Sequence, residues 1–572
     1  MKPHMGQWSR TRLAAIAEDE ASHKYFAVIT FRDVAGDKQQ LVQPRSSLRT
    51  VSRMIQVLDD AGASLPVPNR ETKKLVRSLL SSERNAPRWK FAPATGWYDG
   101  HRVFIHPHEV IGRVRGRAVV KPPRLRTTDH SAALTVRGSH KDWQHSVATP
   151  AQFSSRMVLG ICAALAAPLL DFADLNSFGI HMFGPGKAGK STLLVVAGSV
   201  IGFASEQDLS NFRTTDAALG EVPAEFNDML LPLNELGLLK GSRADRNQRI
   251  RDLAYGFAEG RGTTYSKLAA IDGEGAKRRW RSIALGTGEE AIDEISTAAG
   301  TTRMTGASIR WIDQPAVRKG AEDIIDRCPD KIDPADRRTW VRQLCKAFRR
   351  ACRTNHGVAL KHFVERVIKN RRTIKVDLQS LTEQFVEKEI REDDGPAVQH
   401  LAMCFGHLEA AGILGVRFKT LPWSERVVRS CVRRCYLDAR RALRTESDLL
   451  RQGLRVLRKK LDGEGMLDLT QAQRVSKHAL KASDGYFQKT KLGLEATIRA
   501  GRFKMWFKDP RQPNIVLRWL HAKAALSTKG TPPSKPGVGI VWAESQPQWP
   551  GGSRPRSIVI EPSFKLLRQV KS

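Results

Sequence analysis

Residues 184–192 read Gly184-Pro185-Gly186-Lys187-Ala188-Gly189-Lys190-Ser191-Thr192. Gly184, Gly189, Lys190 and Ser191 fill the pattern G-x-x-x-x-G-K-[ST]. Glycines at these positions let the backbone curl, so that several N–H groups converge on one phosphate chain. A lysine at position 190 reaches the β- and γ-phosphates, and the Ser191 hydroxyl is placed to hold Mg²⁺. The flanking residues fit the same reading. Phe178 to Phe183 is a short apolar strand, and Leu193 to Ala197 opens an apolar helix. Strand, glycine loop and helix together aim a helix N-terminus at an anion. The expectation is an α/β protein with a P-loop ATPase core in which residues 184–192 hold ATP.

Outward from the loop, an ATPase of this kind needs a polar residue on the metal side and a carboxylate to activate water. Asp228 to Leu233 is an apolar strand that ends in Asn234-Glu235. Glu235 is the expected general base. Asn234 stands where an Asp is usual; it can accept a hydrogen bond from metal-bound water but lacks the charge. A second strand, Ser282 to Leu285, ends in Gly286-Thr287-Gly288-Glu289, and Thr287 is placed to orient the hydrolytic water. Arg303 and Arg310 lie in a β-like stretch and are candidates to reach a neighbouring subunit's nucleotide and neutralise transition-state charge. Gly260 to Lys267 reads as a hairpin or exposed loop. Its Arg261 and Lys267 are candidates for contacts with a nucleic-acid backbone.

The 572 residues suggest roughly three to four domains. The formal net charge is +35, which calls for a polyanionic partner, and nucleic acid is the usual one. No apolar run is read as reaching the roughly 18 residues of a membrane span, and MKPHMGQWSR lacks the apolar stretch of a signal peptide. Seven Cys without C-x-x-C spacing read as reduced thiols in a cytoplasm. Cys431 and Cys435, one helical turn apart, read as core residues.

Residues 1–145 read as an N-terminal α+β domain with a basic linker over 112–145. Strands are expected at Tyr25–Phe31 and Val103–His106, and helices at Val51–Leu58 and Glu71–Leu80. His101, His106 and His108 are close together, but no Cys or acidic partners complete a zinc set; they read as surface and strand-edge residues. Residues 146–325 hold the ATPase core, opening with the apolar helix Ser154 to Leu170. Residues 326–462 read as a helical, Arg-rich domain. Arginines from 426 onward fall at helical spacing, which suits either phosphate binding or a solvated face. Residues 463–572 read as a basic C-terminal domain whose helices, followed by a hairpin, suit a winged-helix module.

Taken together, these stretches resemble the family known as domain of unknown function 927. They are Gly96-Trp97 with Phe104 and Ile111-Gly112, the Ser154–Leu170 helix, GPGKAGKSTLL, LLPLNELG, GFAEGRGTTYSK and LGTGE, from about Trp89 to residue 420. The family comprises helicase-like ATPases of plasmids, phages and genomic islands, often fused to or encoded beside a Toprim-type primase. The resemblance implies an AAA+-like ring ATPase, a hexamer of this chain, that acts on single-stranded or forked DNA in replication and is kin to minichromosome-maintenance-type helicases. It implies ATP and Mg²⁺ as cofactors, with a primase on a separate chain. Three positions depart from the family pattern: Asn234 where Asp is usual, Gly262-Thr263 where Gly-Lys is usual, and Gly286 where serine is usual. Two activities remain open: an ATP-driven DNA helicase or translocase, and an ATP-gated replication initiator or loader that hydrolyses little.

Overall fold

The computed structural model describes residues 11–560 except 21–22, 66–68, 93, 114–118, 121–132, 213–221, 262–278, 302, 331, 393, 444–445, 471–475, 492, 508, 524, 527–548 and 551–554. The chain forms two compact units, 1–443 and 444–572.

Unit one begins with strands β1 (Arg12–Asp19), β2 (Lys24–Arg32), β3 (Lys38–Pro44) and β4 (Arg88–Phe91). A three-stranded antiparallel meander follows: β5 (Gly96–Tyr98), β6 (Val103–Ile105) and β7 (Val110–Gly112). Together with β8 (Val119–Val120), the first four strands form a sheet of order β3-β2-β1-β4-β8. Two helices, Val51–Asp60 and Asn69–Ser81, sit between β3 and β4. Met54, Leu58, Val76 and Leu79 come from their apolar faces and pack with Ile16 and Ile29 of the sheet.

The centre of unit one is an all-parallel sheet of β9 (Phe178–Phe183), β10 (Ser210–Asn211), β11 (Leu230–Asn234), β12 (Ile283–Gly288) and β13 (Trp311–Pro315), in the order β10-β11-β12-β9-β13. These strands are apolar runs, as expected where helices cover both faces. Pro232 lies within β11, yet β10 pairs only with Leu233 and Asn234. The proline therefore sits where that flank of the strand is uncovered, one of the few places a sheet accepts it. The chain leaves β9 towards β10 on one side and returns to β13 on the other. Ligands of open α/β sheets bind at the carboxyl ends of strands where the winding reverses in this way.

Helix Ser155–Ala166 is buried along its whole length. A helix apolar on all sides belongs in the interior. With the turn and short helix after it, the run Ser155–Ala173 is 19 residues long with mean hydropathy 1.7, long and apolar enough by length and composition to cross a membrane. This corrects the expectation that no run reaches that length. Within the protein 89% of the run is buried, against helices Lys190–Ile201, Pro396–Arg417 and Glu425–Ala442. Gly412 makes the closest of these approaches: a Cβ there would lie 2.6 Å from Cys162 Sγ and 2.7 Å from Val428 Cγ1. Cys431 and Cys435 are fully buried in this core.

The described end of the expected basic linker is also core. Leu134 and Trp143 are buried, and Trp143 Nε1 donates to Ser199 Oγ at 3.0 Å. Unit two holds helices Glu446–Leu461, Lys477–Ala482, Ala500–Met505 and Gln512–Ala522. Its sheet has the order β14 (Met466–Asp468), β15 (Gly485–Thr490), β16 (Gly493–Arg499) and β17 (Ser557–Ile560). The β15–β16 hairpin precedes the last two helices, so the order of elements differs from helices followed by a hairpin. Strand β17 pairs antiparallel with β16, and most of residues 527–554 before it lie outside the described residues.

Candidate functional site

The glycine loop leaves the carboxyl end of β9, and the Gly184 N–H donates to the Gly288 carbonyl at 3.2 Å. Gly189 has φ +101°, and a Cβ there would meet Ile324 Cγ2 at 2.8 Å. Backbone conformation and space both require glycine at that position. The helix Lys190–Ile201 starts directly after it, and no side chain caps its N-terminus among the described residues. The first-turn N–H groups of such a helix are ready donors to an anion. Ala188 and Thr192 are buried, Ser191 is half-buried, and Pro185 to Lys187 are exposed.

Lys190 is only 7% exposed. Its Nζ donates to Gly184 O at 2.6 Å and Pro185 O at 2.8 Å. Burial pulls the ammonium pKa down, and the carboxylates of Glu235 and Glu289 push it back in part. Among the described residues no carboxylate lies within ion-pair distance of it.

Strand β12 runs between β9 and β11, so Thr287 stands beside both the loop strand and Asn234. The Thr287 hydroxyl donates to Asn234 Oδ1 at 3.0 Å and accepts from the Glu235 N–H at 3.0 Å. One side chain thereby fixes the end of the neighbouring strand. Glu235 takes a left-handed backbone at φ +58°, and its Oε1 accepts from Gly237 N–H at 3.2 Å. Glu289 was not singled out in the sequence. Its Oε1 lies 2.9 Å from the point where a Cβ on Gly186 would be. The signal was its place in Gly286-Thr287-Gly288-Glu289, two residues beyond Thr287 and just past the end of β12. The structure thus gathers Lys190, Ser191, Asn234, Glu235, Thr287 and Glu289 around one glycine loop. Ser191, Asn234 and the two carboxylates are the residues that could hold a cation there.

The two arginines are placed elsewhere. The Arg303 side chain is 5% exposed and pairs with Asp313 at 2.8 Å. It also donates to the carbonyls of Ala307 and Trp311. In this conformation it is an internal group of its own subunit and does not project to a neighbour. Arg310 donates to Gly306 O at 2.9 Å and lies over the Tyr255 ring at 4.7 Å. The stretch read as β-like contains the helix Thr305–Arg310 before β13 begins. Arg261 forms an antiparallel bridge with Arg279, so the segment between them leaves and returns at one point. Lys267 falls in that segment, outside the described residues.

In the Arg-rich helix Glu425–Ala442, Arg429 and Arg433 pair with Glu409 and Glu389 of other helices, Arg440 with Asp394 of the turn between those helices, and Arg441 with Asp438 of its own. The histidines also differ from expectation. His106 is buried, with Nε2 2.8 Å from Ile201 O, and His101 Nε2 lies 2.6 Å from an Asp171 oxygen. Close to that pair, Asp228 is buried and accepts from Trp97 N–H at 3.0 Å, and burial raises its pKa to about 7. Arg281, which follows the Arg261–Arg279 bridge, also pairs with Asp171.

These features define an α/β protein built on a five-stranded parallel sheet, with a glycine loop at the point where its winding reverses. Residues 2–279 match the family model described as Domain of unknown function (DUF927). The match begins and ends earlier than the stretch from Trp89 to residue 420 on which the resemblance was recognised. A solved structure titled "SCCmec type IV Cch - active helicase" shares the fold with a TM-score of 0.59 at 14% identity, over 97% of this chain and 94% of that one. No curated protein matches.

Proposed function

We propose that the protein is a P-loop, AAA+-like ATPase that works as a DNA helicase or translocase in replication of a mobile genetic element. The observation that carries this reading is Lys190. It is a buried ammonium held only by loop carbonyls, at the uncapped N-terminus of a helix, with Glu235, Asn234 and Thr287 beside it. A triphosphate would take over the Lys190 hydrogen bonds from Gly184 O and Pro185 O. Residues 184–192 would hold ATP, Ser191 and Asn234 would contact Mg²⁺ or its water, Glu235 would act as base and Thr287 would orient water.

The net charge of +35 supports a polyanionic partner. The neighbour's title supports helicase action in particular. DNA, single-stranded or forked, would be gripped by basic loops including the one rooted at Arg261. Contacts of that kind are sequence-independent and weaken steeply with salt. The working form would be a ring of six copies, with a primase on a separate chain and a cytoplasmic setting.

A second reading is an ATP-gated initiator or loader. The uncharged Asn234 favours it, because a weaker metal site slows hydrolysis. Strand displacement on a forked duplex, with and without ATP, separates the two. ATP-dependent unwinding supports the helicase. DNA binding that tightens with ATP without strand separation supports the loader. Absence of any ATP effect on either would sink both.

A further inference from the structure

Asn234 leaves the site one carboxylate short of its usual set, and Glu289 stands where it can make up the difference. The Thr287 hydroxyl accepts from Glu235 N–H and gives its single proton to Asn234 Oδ1. One lone pair of the Asn234 amide oxygen is thereby engaged, which leaves one neutral acceptor for a cation or its water where a carboxylate would bring a charge. The Glu235 carboxylate is turned back to Gly237 N–H. Glu289 is exposed, and one of its oxygens lies against Gly186 at the mouth of the loop. Among the described residues its carboxylate has no ion-pair or hydrogen-bond partner. It is also among the groups whose charge acts on Lys190.

Resting on the nucleotide reading above, we propose that Glu289 makes binding at the glycine loop depend on a divalent cation. A bare triphosphate entering the loop would meet Glu289 as a like charge beside its own oxygens. A cation shared between phosphate and Glu289 turns that repulsion into attraction. Glu289 is then a binding residue for the cation–nucleotide complex, and it directly follows β12, not β11, where the sequence pattern puts the acid.

The test is titration of the full-length protein with a fluorescent ATP analogue, in Mg²⁺ and in excess EDTA, for wild type and Glu289→Gln. The exposed position predicts an unchanged melting temperature for the variant. Wild type should bind much more tightly with Mg²⁺. In Glu289→Gln the ratio of the two Kd values should shrink about tenfold, the order expected for one charge pair near a surface, with the EDTA affinity rising. An unchanged ratio, or an equal loss of affinity in both conditions, overturns the proposal while leaving the nucleotide site standing. No binding by wild type in either condition overturns the nucleotide reading itself.

Discussion

Lys190 and the Arg303 side chain are both cations largely shielded from solvent beside one parallel sheet, yet their surroundings differ in kind. Arg303 faces a carboxylate, Asp313, which also accepts from the N–H groups of Ile292 and Asp293 at the start of a helix. Lys190 faces only the carbonyls of its own loop. A buried charge with a matched counter-charge is a fastener. A buried charge hydrogen-bonded only to carbonyl dipoles, with the carboxylates of Glu235 and Glu289 beyond ion-pair distance, is costly to hold, and at a helix N-terminus it is poised for an anion from outside. Sequence reasoning put both residues in the active machinery; their partners separate them.

The sharpest way to break this distinction is Lys190→Ala. It should lower ATP turnover about 100- to 1,000-fold, the range seen when a group that stabilises developing charge is removed. The melting temperature should stay close to wild type, since no ion pair with a described residue is lost. Steady-state ATPase and a thermal melt on the same preparation check both halves. Undiminished turnover would remove the phosphate loop from the mechanism.

Arg303→Ala should give the reverse pattern. Removing one partner of a buried pair leaves the other charge stranded, at a cost of about 3 kcal/mol or more. Asp313 would also lose the cation that balances its hold on the helix Ile292–Ala298. Denaturant unfolding measures the loss. A stable Arg303→Ala protein with defective turnover only in assembled rings would restore Arg303 as a residue acting across subunits.

The parts legible in the sequence were those whose signal is local. The strand before the loop, its glycines, the helix after it and the ends of β11 and β12 are each written in a few consecutive residues. What stayed hidden depended on distant partners. The Arg303–Asp313 pair, the Thr287 link between Asn234 and Glu235, and the approach of Glu289 to Gly186 appear only once the strands are laid side by side. The helix Thr305–Arg310 is a single short stretch held by its neighbours, so its own residues favour it weakly. The arginines of Glu425–Ala442 have helical spacing in either case, and only the helices opposite them decide whether they bind phosphate or carboxylate.

Thr287→Val tests a smaller step on the Lys190 side of the comparison. The substitution keeps volume and removes the hydroxyl, freeing Asn234 Oδ1 and leaving the Glu235 N–H without its acceptor. Turnover should fall about tenfold, as expected when a water-orienting group is lost but charge is retained. Nucleotide affinity should change less than turnover, because Lys190 and the loop remain. A loss of affinity as large as the loss of turnover would make Thr287 a prop for the loop and nothing more.

Asp228 sharpens the comparison with a third way of handling a buried charge. It is 5% exposed and accepts from Trp97 N–H and Asn227 Nδ2. Gly96, at φ +92°, brings the backbone of β5 so close that a Cβ there would lie 2.3 Å from Asp228 Oδ2. Asp171, Arg281 and His101 are near enough to act on it, but burial dominates and raises its pKa to about 7. The folded state therefore keeps a proton on Asp228 at pH values where the unfolded chain, with its carboxyl near the ordinary 3.8, has already released it. The protein binds more protons folded than unfolded across that window, so this group's contribution to stability falls as pH rises from about 4 to about 7 and levels off above. Between pH 6 and 7 the expected loss is up to about 1 kcal/mol. Asp228→Asn keeps an acceptor for Trp97 and cannot ionise, so its stability should not show that slope. The difference between the two proteins in denaturant unfolding at pH 6 and 7 isolates the term from every other titrating group. Parallel profiles would mean that Asp228 is ionised in the folded state and that the N–H donors around it, unlike the carbonyls around Lys190, are enough to hold a bare charge.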